Sequence, residues 1–259
     1  MYDVNERDGS VLGCEAASLS YTDGERTTFA LRDVTATLAP GRFYGIMGPS
    51  GSGKSSLLYV LSGLKRPTQG DARFGRHAYG QMSDAQLTRL RREKFGFVFQ
   101  QPFLLPYLSA LENIVLAAPK QNGAARDKAR RLLGDLGLDG LEHKLPSQLS
   151  GGEKQRVGVV RAMMNDPEVI FADEPTAALD HVNGRRVVDT LAAYRTRGTV
   201  VIVTHDPEMV QGADEVLLLR DGALADIQQP QTMREDSAPA RLVGASVATA
   251  GATTGGRDR

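Results

Sequence analysis

Gly48-Pro49-Ser50-Gly51-Ser52-Gly53-Lys54-Ser55 is the stretch that decides the fold. It runs Gly, four residues, Gly-Lys-Ser, the pattern of a phosphate-binding loop. An apolar run, Phe43-Tyr44-Gly45-Ile46-Met47, precedes it, and a helix-forming run, Ser56-Leu57-Leu58-Tyr59-Val60-Leu61, follows. Strand, glycine loop, helix is the context such a loop needs. Its glycines let successive backbone N–H groups converge on phosphate oxygens, and the helix start adds positive dipole. Gly48 to Ser56 form the expected nucleotide-binding set, with Lys54 reaching the β- and γ-phosphates and the Ser55 hydroxyl a ligand for Mg²⁺.

Outward from this loop, residues 12–47 read as short strands with turns at Thr22-Asp23-Gly24 and Ala39-Pro40-Gly41. Gly70 to Gly80 reads as a second β segment. Ser83 is placed to cap a helix carrying Leu87 and Leu90 on one face. Phe95-Gly96-Phe97-Val98-Phe99 reads as a buried strand, and the section about 102–165 as mostly helical. Val169-Ile170-Phe171-Ala172 and Thr199-Val200-Val201-Ile202-Val203 are near-continuous apolar runs, as in strands covered on both faces of a parallel sheet. Glu215 to Leu219 is the last expected β segment. Residues 237–259, rich in Ala, Thr, Gly and Ser, read as a disordered tail, which leaves 1–236 as the folded domain.

Four further features surround the loop. Asp173 and Glu174 end the apolar strand 169–172, at the edge where a parallel sheet opens on its ligand crevice. Asp173 is expected to hold Mg²⁺ and Glu174 to polarise an attacking water. Leu149-Ser150-Gly151-Gly152-Glu153 opens a helix: Ser150 can cap it, and Gly151 and Gly152 leave its first N–H groups open to an anion. His205 follows the strand 199–203 and can hydrogen-bond a γ-phosphate. Gln100 follows the strand 95–99, where a neutral amide can touch Mg²⁺ or the water and release it when the loop moves.

Acidic and basic residues balance at 31 each among 259, so no global field argues for nucleic acid or anionic lipid. One cysteine, Cys14, permits no internal disulfide and fits a reducing compartment. Met1 to Ser10 lacks the apolar core of a signal peptide, and no run approaches the ~18 apolar residues of a membrane span. The expectation is a cytoplasmic protein that meets a membrane only through a partner.

Together these strings resemble the nucleotide-binding subunit of ABC transporters, over about residues 12–225. Gly48–Ser55 is similar to the Walker A motif, Val169–Asp173 to Walker B, Glu174 to the catalytic glutamate and Leu149–Glu153 to the signature motif. Ala178-Leu179-Asp180 resembles the D-loop, His205 the switch histidine, Gln100 the Q-loop, and Tyr21 the aromatic that stacks on adenine. Phe97 to Pro106, Leu111-Glu112-Asn113 and Leu145-Pro146-Ser147-Gln148 are most similar to the macrolide-exporter and lipoprotein-releasing subfamily. The signature departs from many relatives in carrying Glu153 and Lys154 where glutamine is common.

The resemblance implies an α/β P-loop NTPase core of RecA type, an antiparallel β subdomain and an inserted α-helical subdomain over about 102–165. It implies ATP and Mg²⁺ as cofactors, and a head-to-tail homodimer. In each site one chain would offer Lys54, Ser55, Gln100, Asp173, Glu174 and His205, and the other Ser150, Gly151 and Gly152, with Asp180 linking the halves. It further implies ATP hydrolysis energising a separate membrane permease, with this chain peripheral on the inner face of the cell membrane and no nucleic-acid partner. Pro102-Phe103-Leu104-Leu105-Pro106 is either a docking surface for that permease or internal to the helical subdomain. The basic cluster Arg89, Arg91, Arg92 and Lys94 reads as a solvated helix face. A cell-division-type ATPase, which regulates a membrane partner and moves no substrate, is the alternative.

Overall fold

The computed structural model describes residues 10–24 and 26–230, so the expected tail 237–259 lies outside the described residues. Two sheets carry the fold. The first is antiparallel, in the order β2-β1-β4-β5, with β1 Leu12–Asp23, β2 Arg26–Leu38, β4 Gln69–Phe74 and β5 His77–Ala78. The second has six strands in the order β10-β9-β3-β8-β7-β6. Its β3 Phe43–Met47, β6 Phe95–Val98, β7 Val169–Asp173, β8 Thr199–Val203 and β9 Glu215–Arg220 run parallel, and β10 Ala223–Gln228 closes the edge antiparallel to β9.

Alternation along the central strands sorts side chains to two faces. Tyr44, Ile46, Phe171, Val201 and Val203 point to a core shared with α1 (Lys54–Leu61) and the antiparallel sheet. Phe43, Ile170, Ala172, Val200 and Ile202 point to the opposite core, covered by α5 (Gly151–Met163) and α6 (His181–Ala193). Helix α1 is therefore held between two sheets, and the loop before it has little freedom to move.

A third core joins α3 (Ala110–Val115), α4 (Gly123–Asp135) and α5. Helix α5 is two-faced: Val159 and Ala162 meet the sheet, while Val157, Val160 and the C-cap residue Met164 meet α3 and α4. Serine capping boxes start α2 (Asp84–Lys94), α3 and α5, at Ser83, Ser109 and Ser150. The basic residues of α2 are largely engaged: Arg89 pairs with Glu93, Lys94 with Glu168, and Arg91 donates to Gly63 O.

Two readings of the sequence change here. Residues 12–38 form two long strands and not several short ones. Register shifts along β1, with Ala16 and Asp33 at φ 48° and 49°, break the in–out alternation that marks a continuous strand. Strand β10 was not expected, because Ala-Leu-Ala-Asp-Ile-Gln on a sheet edge is half exposed and weakly patterned.

Candidate functional site

The carboxyl ends of β3, β8, β7 and β6 lie side by side, and the loops leaving them carry Gly48–Gly53, His205, Glu174 and Gln100 in that order. Sheet topology alone thus gathers residues up to 157 positions apart in the chain, from Gly48 to His205.

Close approach fixes the glycine loop. A Cβ on Gly48 (φ 150°) would sit 2.2 Å from Leu219 O and 2.6 Å from Ser52 Oγ, and one on Gly53 (φ 97°) would sit 2.4 Å from Ala30 O. Strands β9 and β2 therefore press the loop from behind. Gly53 leaves α1 without a side-chain cap, and no acidic residue occupies its first turn, so its open N–H groups have no local competitor. Lys54 is buried and folds back over the loop, donating from Nζ to Gly48 O and Pro49 O at 3.0 Å each. Ser52 Oγ is buried without a hydrogen-bond partner. A cavity of about 310 Å³ opens against Ser50, Gly51, Gly53, Lys54, Ser55, Ser56 and Glu174. Four larger hollows, of about 430 to 680 Å³, are lined by residues outside the loop.

Asp173 is 8% exposed and accepts one hydrogen bond on each oxygen. Ser55 Oγ donates to Oδ1 and the Tyr59 hydroxyl to Oδ2, each at 2.8 Å. Burial, and then the Asp173 carboxylate, push the Tyr59 phenol up to about 12. Glu174 stands at φ 45°, left-handed for a non-glycine residue, held there as its N–H donates to Val203 O at 2.9 Å. Its carboxylate oxygens lie 3.0 and 3.1 Å from His205 Nδ1. A carboxylate only accepts, so Nδ1 carries the hydrogen, and Nε2 of a neutral ring is left as an acceptor. The His205 side chain is 70% exposed, that of Glu174 17%.

Gln100 is exposed just beyond β6, and α5 ties that strand end down through Gln155 Nε2, which donates to Phe99 O at 2.9 Å. Tyr21 stands exposed on β1, cross-strand from Thr28. Beyond Gln100 the apolar segment divides: Phe103 is 64% exposed, while Leu104 packs on the third core.

Ser150, Gly151, Gly152 and Asp180 form a second cluster, and none of them lines the Lys54 cavity. Ser150 N donates to Glu153 Oε2 at 2.7 Å and Glu153 N to Ser150 Oγ at 3.2 Å. The Ser150 backbone N–H holds the Glu153 carboxyl below the usual carboxylate range. Glu153 thus completes the cap that glutamine would complete without charge. Asp180 caps α6, accepting from Asn183 N and Nδ2 at 3.0 and 2.6 Å, and Arg156 Nη1 on α5 donates to Asn183 Oδ1 at 3.0 Å. These two helix starts are tied together.

Tyr59, Ala30 and the Arg156–Asn183 link escaped sequence reasoning. Only Tyr59 had a signal, its i+4 spacing from Ser55 on one helix face.

The residues fit a nucleotide phosphate: an open helix start, a lysine resting on carbonyls, an orphaned buried hydroxyl and a glycine cradle that a Cβ would fill. They also fit a divalent cation of hard character. Among the described residues no cluster of three or more His, Cys, Asp or Glu could hold a metal alone. Asp173 and Ser55 would therefore share it with phosphate and water, as Mg²⁺ prefers.

A family model described as ABC transporter matches residues 31–177. The chain is 42% identical over 252 residues to the macrolide export ATP-binding/permease protein MacB of Chromobacterium violaceum, covering 96% of this chain and 38% of that protein. It is 41% identical over 220 residues to the probable syringafactin export ATP-binding/permease protein SyfD of Pseudomonas syringae, covering 83% and 34%. The chain thus spans little more than a third of the length of these curated relatives. Among solved structures, a dimeric post-hydrolysis state of the ATP-binding cassette MJ0796 bound to ADP and Pi is similar at TM-score 0.79 and 36% identity, over 85% of this chain and 98% of that one.

Proposed function

This chain belongs to the ABC transporter family, and from that premise we propose that it hydrolyses ATP in a head-to-tail dimer to energise a membrane permease, a separate subunit in this reading. The observation that carries the proposal is the division of the site residues into two clusters within one chain: Lys54, Asp173, Glu174 and His205 at the sheet edge, and Ser150, Gly151, Gly152 and Asp180 elsewhere. Neither cluster alone surrounds a triphosphate. A second chain, turned head to tail, would bring the helix start of α5 against the γ-phosphate bound on the loop.

In this reading Tyr21 stacks on the adenine, and Gly48 to Ser56 with Lys54 cradle the phosphates. Ser55, Asp173 and Gln100 would hold Mg²⁺, which when bound neutralises charge between the β- and γ-phosphates. Glu174 takes the proton of the attacking water. His205 steadies its carboxylate through Nδ1–H and turns Nε2 toward the γ-phosphate, where it donates only as imidazolium. Hydrolysis removes the anion bridging two positive helix starts, and the dimer opens.

A permease would meet the groove of about 450 Å³ lined by Phe97, Phe99, Ala117 and Arg161, flanked by the exposed Phe103. Stacked and edge-on rings run from Phe171, two residues before Asp173, through Phe97 and Phe99 to Phe103, at centroid distances of 5.7, 5.9 and 5.7 Å. That packed chain offers a mechanical link between site and groove. Among the described residues no helix is long and apolar enough to cross a membrane. The macrolide and syringafactin relatives support export as the direction of transport.

The test is light scattering of Glu174→Gln with ATP. The expected outcome is a dimer, with Lys54→Ala remaining monomeric under the same conditions. ATP turnover by Glu174→Gln at the wild-type rate would remove Glu174 from the role given to it.

A further inference from the structure

The side chain holding the second oxygen of Asp173 has no place in the motifs above. Ser55 and Tyr59 lie four apart on α1, on one face of the helix. They grip the two oxygens of one carboxylate, at 2.8 Å each. The Tyr59 backbone is pinned at the same time, since its carbonyl accepts from Lys65 N at 3.0 Å and Ser62 Oγ at 3.3 Å. Its ring packs against the core between the sheets. The phenol therefore arrives at Asp173 from a rigid direction.

We propose that Tyr59 is a positioning residue for the divalent cation: its hydroxyl fixes the rotation of the Asp173 carboxylate so that Oδ1, and not Oδ2, faces Ser55 and the metal. The inference rests on the reading of Asp173 as a metal-holding residue. A carboxylate with one oxygen already hydrogen-bonded presents the other in a single orientation and need not be ordered when the cation arrives. Ser55 cannot do this alone, because its hydroxyl is itself expected at the metal. Tyr59, which has no expected place at the metal, would keep its bond to Asp173 when the cation binds. A phenol also suits the task because it donates one hydrogen and brings no charge of its own to the cation.

The experiment measures Mn²⁺ affinity by electron paramagnetic resonance in the full chain with a non-hydrolysable ATP analogue, for wild type, Tyr59→Phe and Asp173→Asn. Phenylalanine keeps the ring and removes only the hydroxyl. Tyr59→Phe should weaken Mn²⁺ binding about tenfold, the lower end of outer-shell effects. Its nucleotide affinity in EDTA should stay at the wild-type value, which a merely structural role would not allow, and its melting temperature without ligand should fall only by the few degrees that one lost hydrogen bond costs. Wild-type or tighter Mn²⁺ binding in Tyr59→Phe, with Asp173→Asn weakened, overturns the role of Tyr59 and spares that of Asp173. Unchanged affinity in both variants overturns both. Equal loss of metal-free nucleotide binding in Tyr59→Phe would make the residue structural and also overturn the inference.

Discussion

Gly48 and Gly51 share one loop and positive φ, at 150° and 79°, yet the surroundings divide them. A Cβ at Gly48 meets a backbone carbonyl at 2.2 Å, whereas one at Gly51 meets nothing within 4 Å. Gly48→Ala must therefore displace β9 or the loop itself, and Gly51→Ala carries only the conformational cost of its φ, about 1–2 kcal/mol. Thermal unfolding should show Gly51→Ala folded and modestly less stable, and nucleotide binding should survive in it but not in Gly48→Ala. Equal behaviour of the two would mean that the loop is not pressed from behind as described. The residues of this cradle were legible because glycine spacing and a following Lys-Ser are written directly in the chain. The pressure on them was not, since Leu219 O and Ala30 O arrive from strands far away in sequence. Tyr59 was hidden differently, a polar hydroxyl inside what reads as an apolar helix face.

At the scale of elements, the segment after Gln100 is shaped by one side chain. Asn113 is 1% exposed on α3, accepts from Leu105 N at 2.7 Å, and donates through Nδ2 to the carbonyls of Leu105, Leu108 and Ser109. It holds the irregular stretch 105–109 as a strand partner would. Asn113→Ala strands Leu105 N–H and loosens three carbonyls, for an expected loss of about 2–3 kcal/mol in denaturant unfolding. A loss below about 0.5 kcal/mol would show that water replaces the amide. The helices here were legible in the sequence because each begins with a serine cap and repeats apolar residues at helical spacing. Strand β10 and the bulged length of β1 and β2 were not, because exposed edges and bulges erase the alternation by which strands are read.

At the scale of the whole molecule, the proposed head-to-tail dimer is testable without a membrane. The two clusters are joined inside one chain: Arg156 and Asn183 tie the start of α5 to Asp180, and His181 on α6 pairs with Glu208 at 2.7 Å, three residues past His205. What the α5 start feels on one side can thus reach His205 on the other through packed elements. In a head-to-tail dimer the phosphate loop and the α5 start of one chain serve different sites. A Lys54→Ala chain still offers a sound Ser150–Gly152 helix start, and a Gly151→Asp chain still offers a sound phosphate loop, its own defect being a carboxylate where an anion must bind. Pairing them puts both defects in one site and leaves the other whole. On a Glu174→Gln background, neither variant alone should occlude ATP. Mixed in equal amounts, half the dimers are heterodimers with one sound site each, so about a quarter of the parental occlusion should return. Sites built within single chains would return none, because no mixture repairs a chain that lacks its own lysine or its own helix start. Filter-retained ATP after mixing therefore separates the two architectures directly, and silence in the mixture would overturn the shared site while leaving nucleotide binding by each loop intact.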